Sequence, residues 1–268
     1  MELTEAAATR CGVRTLVFHY HLFKNAGTSI DEMLLQNFGT RWAKHEFRVP
    51  RSDNAAAVSE FVRSHPDLDA VSSHTALLPP PQIPEIQIFP VIFLRHPLDR
   101  LRSAFDFERQ QMADTFGARL AKSHDFAGYV RELLKGSHYR QARNFQTFCL
   151  ARNEPGRIHT ELERALRALE TLPFVGLVEE YDQSLKRLER LLQPRFPHFR
   201  ARRVHANIAS ARPHALAERL SAVRNSLGHE LYQEVCAANL NDTAIYDWAV
   251  RRTNEMMEPE CAASQELC

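Results

Sequence analysis

The chain has 268 residues, 44% of them hydrophobic, which is enough to bury a full core as one domain. Its 34 Lys and Arg against 33 Asp and Glu leave a net charge of +1, which excludes a general electrostatic attraction to nucleic acid or to an anionic membrane. No apolar stretch approaches the ~20 residues of a membrane span, and residues 1–12 lack the apolar centre of a signal peptide.

These limits describe an enzyme-sized protein without an integral membrane segment, and the expected location is cytoplasmic. The five cysteines (Cys11, Cys149, Cys236, Cys261 and Cys268) show no C-x-x-C spacing, and their odd number argues against a closed disulfide framework. Reduced thiols fit the cytosol. Cys268 is the terminal residue, so there is no prenylation box.

Residues 1–12 read as an N-terminal extension, 13–252 as a single domain and 253–268 as an acidic, mobile tail. The domain opens with β-formers at 14–20, including Leu16, Val17, Phe18 and Tyr20. A short turn follows, Lys24-Asn25-Ala26-Gly27-Thr28-Ser29. Beyond it Ile30, Met33, Leu34 and Phe38 recur at helical spacing. Strand, small-residue turn and helix start form an anion cradle, in which Gly27 admits backbone N–H groups and the helix N-terminus adds partial positive charge. Lys24, Thr28 and Ser29 add side-chain donors. A Walker A loop, G-x-x-x-x-G-K-(S/T), is excluded because Lys24 precedes Gly27 by three positions and no glycine opens the turn. An ordinary βα turn would share this pattern, so a second site has to decide.

His19 and His21 alternate along the first strand and share a face. A metal would need a third ligand, and none is evident nearby, so no metal is expected. Residues 69–73 read as a second strand with His74 at its end. The run Pro79-Pro80-Pro81, then Pro84, marks a stiff extended connection placed to line an acceptor cleft.

Residues 89–94 contain the apolar run Val91-Ile92-Phe93-Leu94, which suits a strand buried on both faces. Arg95 stands at its C-terminal end, where open α/β sheets bind ligands. Pro97 suits the first turn of a helix. Arg95 and Ser103 read as an anion site, since guanidinium groups recognise phosphate in bidentate fashion. Arg100 and Arg102 read as a solvated basic helix face.

The two segments together resemble the sulfotransferases that use 3′-phosphoadenosine 5′-phosphosulfate, in particular the Golgi uronyl and heparan 2-O-sulfotransferases and their bacterial relatives. That family carries an apolar residue followed by x-K-x-A-G-T-S or a close variant, and a segment of the form L-R-(D/N)-P-x-x-R-x-x-S-x-(F/Y). This chain has Phe23-Lys24-Asn25-Ala26-Gly27-Thr28-Ser29, and Leu94-Arg95-His96-Pro97 continuing through Arg100, Ser103 and Phe105. Asn25 and His96 depart from the usual residues. Weaker echoes lie at Asn144-Phe145-Gln146-Thr147 and at 174–181.

The resemblance implies a P-loop NTPase-like sulfotransferase fold, an α/β architecture with a central parallel sheet flanked by helices. It implies that Lys24, Asn25, Ala26, Gly27, Thr28 and Ser29 hold the 5′-phosphosulfate of the donor, with Lys24 also catalytic at the leaving oxygen. Arg95 and Ser103 would hold the 3′-phosphate. In the family a Gly-His pair ends the strand that here ends in Ser73-His74, and its histidine is the base. His74 is therefore the candidate base, and an imidazole's ordinary pKa near neutrality suits the task. The acceptor would be a hydroxyl, on a glycan by analogy, with no metal required. The alternatives are a P-loop-type nucleotide kinase or NTPase and a non-catalytic nucleotide- or glycan-binding relative.

Downstream, 160–172 and 182–193 read as amphipathic helices and 173–178 as a strand between them. The basic cluster Arg195, Arg200, Arg202 and Arg203, with His198 and His205, fits an anion-facing surface or a solvated loop. Residues 206–213 read as a polar loop near the nucleotide, and 214–252 as largely helical.

Overall fold

Alternate residues of the first strand face opposite layers, and this period of two organises the molecule. The computed structural model describes residues 13–136, 139–153, 159–203 and 215–265, with side chains as far as residue 255. In chain order the first elements are β1 (Arg14–Tyr20), α1 (Gly27–Phe38), β2 (Trp42–Lys44), α2 (Asn54–Ser64) and β3 (Ala70–Ser73). Then come β4 (Ile86–Val91), β5 (Phe93–Leu94), α3 (Pro97–Gln110), α4 (Phe116–Ser123), α5 (Phe126–Lys135) and α6 (Phe145–Ala151). The remainder is α7 (Glu161–Glu170), β6 (Gly176–Leu177), α8 (Tyr181–Leu192), α9 (Leu216–Leu227), α10 (His229–Ala238) and α11 (Leu240–Gln265).

The central sheet is parallel, in the order β2-β3-β1-β4. Only Ile92 separates β4 from β5, and β6 pairs with β5 in parallel. Gly176 N donates to Ile92 O at 2.8 Å and Val178 N to Leu94 O at 2.9 Å, so β6 adds a further rung beyond β4. Helices cover both faces. Leu16, Phe18 and Tyr20 of β1 pack with residues of α2, α6, α7 and α11. Val17 packs on the other side with Ile30, Met33 and Leu34 of α1 and with the leucines of α8. A separate helical core, built by α3, α4, α5, α9 and α10, adjoins this sandwich.

Strands expected at 14–20, 69–73, 89–94 and 173–178 are present, the last shortened to Gly176–Leu177. β2 was not foreseen; three residues between a 3-10 turn and a polar segment give no period to read. Residues 253–265, assigned from sequence to the tail, continue α11. The loop at 206–213 lies outside the described residues, as does His205.

Asn144-Phe145-Gln146-Thr147 starts α6, and Asp242 on α11 closes its N-terminus. Asp242 accepts from Gln146 N at 3.0 Å, Thr147 N at 2.7 Å and Thr147 Oγ1 at 2.7 Å. In return Asn144 Oδ1 accepts from Asn241 N and Asp242 N. Because Asp242 is fully buried, its loss strands helix donors away from water. Asp242→Ala should therefore lower stability by about 3 kcal/mol, read as a shift of the urea midpoint with an unchanged slope; a shift below about 1 kcal/mol would contradict this account.

Candidate functional site

The chain leaves β1 toward β2 and β3 on one side, and leaves β5 toward β6 on the other. Adjacent strands whose connections diverge in this way open a crevice at their carboxyl ends. The two motifs singled out in the sequence meet there. Arg95 Nη1 donates to Lys24 O at 3.1 Å, and Asn25 Nδ2 donates to Phe93 O at 2.7 Å.

The turn between β1 and α1 holds two non-glycine residues in left-handed backbone, Lys24 (φ 65°) and Ala26 (φ 61°). Each costs ~1–2 kcal/mol, and such outliers gather where geometry serves function. Ala26 is the N-cap of α1, which has no side-chain cap and no acidic residue in its first turn. The helix end is thus left electropositive. Thr28 is exposed there, and Ser29 interacts with the Tyr181 hydroxyl. The Lys24 ammonium lies 4.3 Å from the centre of the Phe107 ring on α3.

Three residues named in the sequence take particular partners. Asn25 is buried, and its Nδ2 donates to Phe93 O and Gln146 Oε1, so this side chain braces the loop. Gly27 has ordinary φ, but a Cβ on it would fall 2.0 Å from two atoms of the His21 ring. Its bare backbone makes room for an imidazole. Arg100 is fully buried, packed over Phe145 at 4.5 Å and bonded to Gln141. It is a core residue and not a solvated one. Half-buried Arg102 pairs with Asp106 and lies over Phe126.

Arg95 is 9% exposed, and its Nε and Nη2 both reach Asp99 Oδ2 at 2.7 Å. Arg219 of α9 takes the other oxygen of Asp99 at 3.0 Å. Ser103 follows Asp99 by one helical turn on α3 and is as buried as Arg95. Sequence reading missed Arg219, which gives no local signal. Gln146, which the sequence marks only as part of a weak echo, has a carboxamide that accepts from Asn25 Nδ2 and Arg95 N and donates to Arg95 O. His96 leaves the cradle alone: its N–H donates to Glu179, and burial lowers its pKa. In the basic cluster Arg203 pairs with Asp182, and Arg200 bonds backbone carbonyls of its own turn.

On the α1 face of β1, His19 and His21 share one partner, Asp31. Their Nδ1 atoms lie 2.8 and 3.1 Å from its two oxygens, and Lys44 Nζ lies 3.1 Å from one of them. Burial penalises charge on all three groups and holds both imidazoles neutral, His21 down to about 4. The same burial would raise Asp31, but hydrogen bonds from His19 and His21 outweigh it and hold the carboxyl far below the usual range. His19, His21 and Asp31 bring their ligand atoms within 4.8 Å of one another. The third metal-capable group that the sequence did not reveal is therefore present, with a lysine ammonium already at its carboxylate. A signal did exist: Asp31 falls on the buried stripe of α1 with Gly27, Ile30 and Leu34.

His74 extends this column. Its ring stacks on His21 at 3.9 Å, and His21 stacks on His19 at 5.2 Å. Glu46, just past β2, receives His74 Nδ1 at 2.7 Å and His74 N at 3.1 Å. A carboxylate on Nδ1 fixes the ring and leaves Nε2 as the basic nitrogen. Ser73 Oγ accepts from Thr75 N and Ala76 N and so shapes the turn after His74. Beside the two imidazoles an open cleft is lined by Leu22, Ala76, Leu77, Leu78, Ile92 and Leu150, among others. The residues before the proline run line it, and the prolines themselves do not.

Two outcomes follow from this packing. Gly27→Ala should displace His21 and destabilise by about 2 kcal/mol, and His21→Ala in the same chain should relieve much of that cost; strict additivity in the double-mutant cycle would refute the contact. His21 is neutral when folded but takes a proton below pH ~6.5 when unfolded. Stability is therefore full above that pH and falls as pH drops toward 4, by ~3 kcal/mol from His21 alone. Denaturation at stepped pH should show this slope, and His21→Gln should flatten it.

No protein-family model matches the chain. It is 38% identical over 245 residues to a protein of Archaeoglobus fulgidus whose name reads "Uncharacterized protein", and the match covers 88% of this chain and 96% of the relative. At that identity and coverage, the chain belongs to the same family as this archaeal protein.

Proposed function

We propose that the protein is a sulfotransferase that moves a sulfonate group from 3′-phosphoadenosine 5′-phosphosulfate to an acceptor hydroxyl, on a P-loop NTPase-like variant of the α/β fold. One observation carries this reading: the Lys24 loop and Arg95 touch at the divergence of β1 and β5, on the sheet edge that also carries the His74–Glu46 pair.

The residues fit the donor. The uncapped, acid-free start of α1 suits a 5′-phosphosulfate. Arg95, with Ser103 on the adjoining helix face, suits the 3′-phosphate, and Arg95 also fixes the backbone of Lys24. In the reaction the acceptor oxygen forms a bond to sulfur as the bond from sulfur to the bridging phosphate oxygen breaks. Lys24 stabilises the charge left on that oxygen. His74 Nε2 takes the acceptor proton, and Glu46 steadies the resulting imidazolium. Lys24 does by charge what a metal does in phosphoryl transfer, and the sulfonate carries less charge to neutralise. Free Cys149 and Cys236 support a cytoplasmic setting.

Incubation with the sulfonate donor and a panel of hydroxyl acceptors, read by mass spectrometry, tests the reaction. ATP turnover without any response to the donor would sink it. Lys24→Ala should lower turnover by ~10³-fold, and Arg95→Lys should chiefly weaken binding of 3′-phosphoadenosine 5′-phosphate. His74→Ala should cost ~10²–10⁴-fold in turnover while leaving that binding intact. Glu46→Gln should cost ~10–100-fold with the same signature. Unchanged turnover in His74→Ala would remove it from the base role.

A further inference from the structure

The cleft beside His74 offers few partners for a polyhydroxylated acceptor. Its walls are Leu22, Ala76, Leu77, Leu78, Ile92 and Leu150. Of the polar groups at its edge, His21 Nδ1 is held by Asp31, His74 Nδ1 by Glu46, and Ser73 Oγ accepts from Thr75 N and Ala76 N. Burial pushes the Cys149 thiol up to about 12, so it stays a weak, uncharged donor. Tyr20 also lines the cleft; it is 3% exposed, and its hydroxyl has no hydrogen-bond partner among the described residues. Arg152 is exposed at the rim.

A sugar ring carries a hydroxyl on most of its carbons, and each one buried against leucine without a partner costs roughly 1–3 kcal/mol. An aromatic ring bearing a single hydroxyl loses nothing there. Its acidity matters as well: a phenol with a pKa of about 10 is far better matched to an imidazole base than an aliphatic alcohol is.

We infer that the acceptor is a small phenol, seated in the apolar cleft with its hydroxyl at His74, in place of the glycan that the family resemblance implies. The inference rests on the sulfotransferase reading for its chemistry, but the cleft's preference is measurable without the donor. Phenol sulfation here forms the bond from phenolic oxygen to sulfur, breaks the bond from sulfur to phosphate oxygen and delivers the phenolic proton to His74.

2-Naphthol, followed by its own fluorescence, should bind the full chain in the absence of donor. Ala76→Phe, which fills the cleft from a half-buried position, should weaken that binding by about 10-fold or more while leaving 3′-phosphoadenosine 5′-phosphate binding unchanged. In the complete reaction 2-naphthol should be sulfated with kcat/KM at least ~100-fold above desulfated heparan oligosaccharides. Absence of naphthol binding, binding indifferent to Ala76→Phe, or preferential sulfation of the oligosaccharides would overturn the phenol assignment. Failure of the nucleotide to bind, with naphthol binding intact, would instead overturn the sulfotransferase reading and leave the cleft's preference standing.

Discussion

One carboxamide holds the crevice together. Gln146 on α6 accepts from Asn25 and from the Arg95 backbone and donates back to the Arg95 carbonyl, all without exposure to water. Its three bonds tie the turn after β1 to the end of β5, strands whose onward connections pull in opposite directions. Buried amides that are fully partnered fix geometry, and a partly satisfied one is costly. The network continues outward: Asp242 closes the helix that carries Gln146, and Asn144 closes the helix that carries Asp242. Two left-handed residues in the turn are tenable because this lattice determines their positions from several sides.

A second constraint is the burial of charge on the α1 face of β1. His19 and His21 cannot both be charged beside each other in a dry layer, and Asp31 cannot stand there unpaired. The arrangement found is neutral imidazoles donating to an ionised carboxylate, with Lys44 completing it from β2. His21 then presents its ring face to His74 and its edge to Gly27. Gly27 thus links the turn after β1 to His74 through the His21 ring: the start of α1 can approach the strand only because no Cβ stands in the way.

Much of this frame is legible in the sequence. The apolar runs of β1 and β4–β5, the small-residue turn and the amphipathic stripe of α1 each announce themselves locally. So do Lys24, Arg95 and His74 as residues emerging at strand ends. What escapes is what depends on partners distant in the chain. Glu46 is one glutamate among many until β2 pairs with β3 and sets it beside His74. Gln146 and Arg219 act on residues 51 and 120 positions away. Arg100 reads as solvated because its helix is strongly charged, yet a second helical core covers it and Phe145 gives it a face to stack on. Asp31 was within reach, since a carboxylate on a buried helical stripe calls for donors, and the facing strand carries two.

The local balance of charge also bears on how an anion would be held. Arg95 and Arg219 are matched by Asp99 between them and by Glu179 beside Arg219. The quartet is therefore close to neutral and has little long-range pull. Its contribution is directional: hydrogen-bond donors held at fixed angles by a fully buried carboxylate. Long-range attraction has to come from the start of α1 and from Lys24, which lies on the accessible side of the turn against a half-exposed Phe107. The fold thus separates two tasks, with rigid donors placed by buried ion pairs and net positive potential placed on one lysine and a helix end.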